Sequence, residues 1–139
     1  MSQTLLLTFY GQVKSKKNSK QIGYRRNGQP FVRSNDAAKA QEQLMAASFR
    51  SDYFAAEIKY APWQEASAYR VEVEVYNKDR KRHDLDNQLA TIMDALVEAG
   101  VLRDDNQEVV PEAVIRYKGI DRLDPRAEIT ITTINQRKK

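Results

Sequence analysis

The sequence predicts an α+β fold: one domain, residues 1–139, with a mixed β-sheet of about four to six strands covered by two main helices. Three observations lead to this prediction. Several segments alternate between apolar and polar residues or are rich in β-forming residues, which indicates strands. Two segments without Gly or Pro have the composition or apolar spacing of helices. Strands and helices do not alternate regularly along the chain, which argues against a doubly wound fold.

The N-terminal region is predicted to form a strand, a basic loop and a hairpin. Residues 4–10 are rich in β-forming residues. Further along, segments 21–26 and 29–33 flank Asn27-Gly28, a dipeptide that tolerates the positive φ angles of a type I′ turn. We therefore expect the basic arm, about residues 11–33, to include an ordered hairpin.

Two helices and three strands are predicted in the rest of the chain. Residues 36–58 contain no Gly or Pro and are rich in Ala, Gln and Glu, which predicts a helix that Pro62 ends. Residues 69–76 alternate between Val and Glu and predict a strand with one exposed face. The apolar spacing over residues 87–99 predicts the second helix. The last strands are predicted at residues 109–118 and 127–134.

The composition excludes several kinds of site. The chain has no Cys and one His, which excludes disulfides, thiol nucleophiles and zinc sites built on Cys or on paired His. Any metal must therefore be held mainly by oxygen ligands, so a hard cation is expected. We find no long apolar run and no signal peptide, so we expect a cytoplasmic protein without membrane association. We also expect no small-molecule cofactor.

Positive charge is concentrated in the N-terminal arm. Residues 1–35 carry seven of the 23 Lys and Arg and none of the 19 Asp and Glu, so the remainder carries 23 − 7 = 16 basic against 19 acidic residues. A basic arm on a mildly acidic body favours a polyanionic partner that binds a localised surface. We predict DNA contacts in this arm and in the loop before the second helix, at Lys14, Lys16, Lys17, Lys20, Arg25, Arg26, Arg80, Lys81 and Arg82.

Four aspartates suggest a metal site. Asp84 and Asp86 stand two positions apart before the second helix, and such close carboxylates repel each other unless a cation neutralises them. Asp104 and Asp105 follow that helix and meet the first pair if the chain folds back. A carboxylate cluster suits Mg²⁺, with Mn²⁺ as a substitute. The alternative is that Asp86 is a helix N-cap and the second pair an ordinary turn.

Three residues near these aspartates are candidates for a supporting role. Asp94 is a charge in an otherwise apolar part of the predicted helix, so it either supports the metal ligands or is a solvated helix position. His83 adjoins Asp84 and is a base, a phosphate contact or a surface residue. Asn87 directly follows Asp86.

The acidic segment resembles the RusA family of Holliday junction resolvases, small endonucleases typical of bacteriophages and prophages. Ser15-Lys16-Lys17-Asn18 in the basic arm is also similar to members of that family. The other matching residues are Asp84-Leu85-Asp86-Asn87, Asp94-Ala95-Leu96, Ala99-Gly100, Asp104-Asp105, Gln107 and Val109-Val110.

This resemblance implies a homodimer that binds four-way DNA junctions and nicks two strands symmetrically with Mg²⁺. It implies that Asp84, Asp86 and Asp105 are the essential catalytic residues. The chain departs from the family at Ala90, where the family carries a catalytically important lysine. Either the activity is weak or differently selective, or another cation replaces that lysine. The candidates are Arg80, Lys81, Arg82 and Lys118.

The resulting prediction is a Mg²⁺-dependent, structure-selective endodeoxyribonuclease that resolves Holliday junctions by paired nicks in DNA recombination and repair. Two alternatives stay open. A non-catalytic DNA-binding module would bind DNA in a salt-sensitive manner and leave it uncut. A flap-type or fork-type nuclease would share the metal chemistry and differ in its substrate.

Overall fold

The computed structural model describes residues 2–14, 20–24, 26–34, 36–56 and 62–134. Six strands and three helices are found in this part of the chain. The strands are β1 (Thr4–Tyr10), β2 (Lys20–Tyr24), β3 (Pro30–Ser34), β4 (Ala68–Asn77), β5 (Glu112–Ile120) and β6 (Arg126–Ile134). The helices are α1 (Asp36–Ala55), α2 (Pro62–Glu65) and α3 (Leu85–Glu98).

Four of the strands form one mixed sheet in the order β1-β6-β4-β5, and β2 pairs with β3 in a separate hairpin. In the sheet, β6 lies antiparallel between β1 and β4, whereas β5 runs parallel to β4 with Val73 opposite Ile115. A parallel pair needs a crossover connection, and α3 lies within it. This arrangement confirms the predicted α+β fold with a mixed sheet.

The hydrophobic core lies on one face of the sheet, where the helices pack. Val71, Val73 and Val75 of β4 are fully buried, while Glu72 and Glu74 between them are only half-buried. Successive residues of a strand point to opposite faces, so the alternation separates a core face from an outer face. The outer face carries ion pairs instead of apolar contacts.

The ends of several elements differ from the prediction. α3 begins at Leu85 because Asp84, with φ −84° and ψ 127°, occupies the N-cap position, so the alternative that Asp86 is the N-cap is wrong. Pro62, predicted to end a helix, is the first residue of α2, a position where its missing N–H costs nothing. β5 begins at Glu112, since the amides of Val109 and Val110 donate to the turn carbonyl at Asn106.

The hairpin in the basic arm is present, but its loop is longer than a two-residue turn. The last paired residues are Tyr24 and Pro30, which leaves five residues between the strands. Gly28 has a φ of +84°, which suits glycine, and the Asn27 side chain accepts a hydrogen bond from the Gln29 amide at 3.1 Å. Within the described residues, no helix combines the length and the apolar character needed to cross a membrane.

Candidate functional site

Asp84 and Asp86 lie together at the N-terminal end of α3, and both carboxylates are exposed. Asp84 stands at the N-cap position but makes no side-chain cap hydrogen bond. Asn87 contacts both residues, because its Nδ2 donates to Asp84 Oδ2 at 3.2 Å and its backbone amide donates to Asp86 Oδ1 at 3.0 Å. The positive end of the helix dipole also favours negative charge here.

Asp104 and Asp105 lie in an exposed turn beyond the C-terminal end of α3. The Asp104 carboxylate accepts hydrogen bonds from the backbone amide of Asp105 at 2.7 Å and from the side chain of Asn106 at 3.0 Å. The amide of Asp105 is the main reason that the pKa of the Asp104 carboxyl is lowered from its usual value. The Asp104 carboxylate is thus part of the hydrogen bonding of its own turn.

The two acidic pairs are far apart within one protomer. Beside the second pair, the Arg103 guanidinium donates to the carbonyls of Ala66 and Ser67, just before β4, at 3.0 and 2.9 Å. Asp84 instead lines a pocket with Asn77, the last residue of β4. Because the 14-residue helix between the pairs is about 20 Å long, the pairs do not meet. Among the described residues, no three His, Asp or Glu are grouped closely enough to hold a metal ion.

The N-terminal end of α3 nevertheless fits part of a site for a hard cation. Asp84 and Asp86 supply carboxylate oxygens, the ligands that Mg²⁺ prefers, and their exposure leaves room for water and a phosphate. Mg²⁺ is often held by only one or two carboxylates together with substrate phosphates. A third carboxylate from the Asp105 turn would have to come from a second copy of the chain.

An open pocket of about 440 Å³ lies beside Asp84. It is formed by the end of β4, the basic loop, the first turns of α3 and one side chain of β5. The lining residues are Asn77, Arg80, Lys81, Arg82, His83, Asp84, Leu85, Gln88 and Tyr117. The three basic side chains of the loop are exposed. The pocket therefore combines a carboxylate with cations that suit a DNA phosphate.

His83 is half-buried in the wall of this pocket. Burial is the main cause that lowers its pKa, and the charge of Lys81 adds to the effect. The imidazole is therefore mainly neutral at pH 7. Its Nε2 is buried and has no hydrogen-bond partner among the residues that the structure describes.

A buried amide cluster, formed by Gln12, Asn77 and Gln88, joins the basic arm to the same region. Gln88 Nε2 donates to the Val13 carbonyl at 3.0 Å and to Asn77 Oδ1 at 3.2 Å, and Gln12 Nε2 donates to the same two atoms at 2.9 and 2.8 Å. This cluster was not predicted from the sequence. The sequence contains one indication of it: Gln88 is a polar residue on the side of α3 that packs inwards.

The start of the basic arm is held next to α3. Thr91 Oγ1 donates to the Lys14 carbonyl at 3.2 Å, and the Lys14 amide donates to Gln41 Oε1 at 2.8 Å, while the Lys14 side chain is exposed. Arg26 is exposed in the hairpin loop. Three predicted DNA contacts, Lys16, Lys17 and Arg25, lie outside the described residues, as does the side chain of Lys20.

Ala90, where the sequence departs from the resolvase pattern, lies on the same exposed side of α3 as Asp86, one turn further along. Asp94 is half-buried on the next turn. Of the candidate replacement cations, Lys118 pairs with Glu74 at 3.3 Å on the outer face of the sheet, away from α3. The basic loop is therefore better placed to supply a cation near Asp84 than Lys118 is.

Comparison with protein families identifies the family of the chain. A family model described as endodeoxyribonuclease RusA matches residues 8–132. The matched region begins in β1, ends in β6 and includes both acidic pairs and the basic loop. A search of curated proteins finds no significant match to the chain.

Proposed function

The chain belongs to the RusA endodeoxyribonuclease family, and we propose that it is a Mg²⁺-dependent nuclease that resolves four-way DNA junctions by paired, symmetric nicks. The observation that carries the proposal is the pocket at the N-terminal end of α3. There, Asp84 lies beside Arg80, Lys81 and Arg82. Metal-dependent phosphodiester hydrolysis uses carboxylates that hold a hard cation and positively charged side chains that bind phosphate.

Each group in this region has a distinct role in the proposal. Asp84 and Asp86 hold Mg²⁺, and the hydrogen bonds from Asn87 keep their carboxylates oriented. The exposed cations of the basic loop bind phosphates on either side of the cleaved bond. When bound, Mg²⁺ supplies an activated water and stabilises the charge that develops on the phosphate.

We further propose that the working enzyme is a homodimer with sites shared between protomers. Asp84 and Asp105 lie at opposite ends of α3, about 20 Å apart, so one protomer cannot place both at one metal ion. In a two-fold dimer, the N-terminal end of one α3 can meet the turn that follows the C-terminal end of the other α3. The symmetry of the dimer creates this contact twice. Two equivalent sites then account for paired nicks on two strands.

The proposal is tested by incubating the protein with a labelled four-way junction, a matched duplex and a flap, each with and without Mg²⁺. Junction cleavage into two symmetric products, dependent on Mg²⁺, is the expected result. Preferential cutting of the flap would show that the protein is a flap-type nuclease and not a junction resolvase. Salt-sensitive binding to all three DNAs without any cleavage would leave only the non-catalytic DNA-binding module.

A further inference from the structure

A group of exposed apolar side chains, which we call the apolar ridge, borders the pocket beside Asp84. It consists of Tyr117 and Ile120 at the end of β5 and Leu123 in the loop that follows. These are three of the seven large apolar side chains that are exposed among the described residues, and Leu123, at 98%, is the most exposed of all. Single exposed apolar residues are ordinary, but several together beside a functional site indicate a binding surface.

The strand register places the start of the apolar ridge on the pocket side of the sheet. Tyr117 pairs with Val75 of β4, and Ile120 pairs with Asn77, because the pairing shifts between these two positions. Paired residues of neighbouring strands point to the same face, so Tyr117 and Ile120 share the face of Val75 and Asn77. Tyr117 and Asn77 both line the pocket. The apolar ridge is therefore continuous with the pocket wall.

The loop that carries Leu123 is tied to the sheet at both ends. At its start, the Asp121 amide donates to the Asn77 carbonyl at 2.8 Å. At its end, the Pro125 carbonyl accepts from the Gly11 amide at 2.7 Å. Leu123 follows Asp121 by two residues, so it lies within about 7 Å of chain from the edge of the pocket.

Arg126 fixes the loop from within. Its Nη1 donates to Asp121 Oδ2 and to the Asp124 carbonyl, both at 2.9 Å. Its guanidinium also lies over the Tyr76 ring, 3.9 Å from the ring centre. The same group pairs with the carboxylates of Asp121 and Asp124, which offsets their negative charge. A loop fixed in this way loses little conformational entropy on binding, so it presents Leu123 to a partner at low cost.

We propose that the apolar ridge contacts bases at the branch point of the DNA and that Leu123 enters between neighbouring base pairs as a wedge. Leucine is one of the side chains that DNA-bending proteins insert between base steps. The cations of the adjoining basic loop and the exposed Arg122 are placed to hold the phosphates around it.

The wedge favours branched DNA over a continuous duplex. Unstacking costs least where bases are already poorly paired or stacked, as at a branch point. The inference rests on the proposed function in that it takes branched DNA as the substrate, and it adds a residue that selects this substrate.

Insertion can be measured without cleavage by 2-aminopurine, an adenine analogue whose fluorescence rises when it is unstacked. Saturating protein, without Mg²⁺, would be added to a four-way junction that carries the analogue at the branch point and to a duplex of the same sequence. The parent protein should raise the fluorescence of the junction and not that of the duplex. Leu123→Ser should lose at least about half of the rise and bind the junction about tenfold more weakly, because the buried apolar contact is lost. Leu123→Met should keep the rise, since methionine also acts as a wedge.

Leu6→Ser is the matched control. Leu6 is also a leucine that is largely exposed, but it lies on the outer face of β1, three strands away from β5. This variant should behave as the parent protein does. Both serine variants should unfold at the same urea concentration as the parent, because neither side chain is part of the core.

Two results would overturn the proposal: an equal fluorescence rise with Leu123→Ser and the parent, or a smaller oligomer of Leu123→Ser in solution, which would make the apolar ridge a contact between protein copies. A parent protein that cuts the junction with Mg²⁺ but shows no dependence on Leu123 loses this inference and keeps the proposed function. A fluorescence rise that depends on Leu123, in a protein that cuts no DNA, keeps the inference and overturns the proposed nuclease.

Discussion

Asp84 and Asp105 lie at opposite ends of α3, on the order of 20 Å apart within one protomer. Asp84 lines a pocket together with the last residue of β4. Asp105 follows Arg103, whose guanidinium donates hydrogen bonds to carbonyls just before the start of β4. Their separation is therefore set by the packed core, not by a flexible loop. A mechanism that needs both carboxylates at one metal ion must draw them from two copies of the chain.

Mixing two inactive variants tests this sharing. Asp84→Asn and Asp105→Asn should each abolish junction cleavage as pure proteins, because each removes a carboxylate from both sites of the dimer. In a mixed dimer, one site combines the two intact aspartates, so the mixture should regain single-strand nicking. The readout is nicked against fully resolved junction on a denaturing gel after the two proteins are unfolded and refolded together. No activity in the mixture would place both aspartates in one protomer.

Neutralising the acidic pair at the start of α3 should separate binding from cleavage. Asp84→Asn and Asp86→Asn are expected to lose cleavage while junction affinity stays equal or rises, because less negative charge repels the phosphates. Gel-shift affinity and cleavage rate would be measured in parallel. Full cleavage by either variant would remove that residue from the metal site.

Ala90→Lys tests whether the basic loop has replaced the lysine of the family. Replacing Arg80, Lys81 or Arg82 singly by Ala should slow single-turnover cleavage. Adding Ala90→Lys to each of these variants should restore the rate only in the variant whose missing side chain does the work of the family lysine. Lys118→Ala is expected to change the rate less than about twofold, because Lys118 pairs with Glu74 on the outer face of the sheet, away from α3. A large loss with Lys118→Ala would show that the replacement cation lies there instead. Loss of activity with Ala90→Lys alone would mean that position 90 does not face the site.

The buried amide cluster should contribute to the stability of the fold. Gln12→Leu leaves the Lys78 amide and Asn77 Oδ1 with fewer partners, since Gln12 Oε1 accepts from that amide at 2.7 Å. The expected loss is about 1 to 3 kcal/mol in the free energy of unfolding, measured by urea denaturation. The exposed Gln43→Leu is the control. Unchanged stability in Gln12→Leu would show that the cluster does not hold the arm.

The basic arm should set the salt dependence of binding. Changing Lys14, Lys16, Lys17 and Lys20 together to Gln is expected to weaken junction binding and to reduce the slope of log affinity against log salt by about 0.9 for each lost phosphate contact. The measurement is anisotropy of a labelled junction across a salt series. The same slope in the parent protein and the variant would place the arm away from DNA.

The sequence by itself determined the local elements and the local chemistry. The alternation in β4 and the apolar spacing in α3 are periodic properties of neighbouring residues, so they could be read without the fold. The nearness of Asp84 to Asp86 is likewise local, since the two stand two positions apart at the start of one helix. The family resemblance, carried mainly by residues 84–110, was confirmed over residues 8–132.

Only the tertiary structure decided which distant residues meet. The parallel pairing of β5 with β4 places α3 along the sheet, and this separates Asp84 from Asp105 by the length of the helix. The same packing brings Gln12 to Asn77 and Gln88, and Tyr117 to the pocket beside Asp84. Such contacts join residues that are far apart in the chain, and they depend on how helix and sheet bury their apolar faces together. No periodicity within a single segment carries that information.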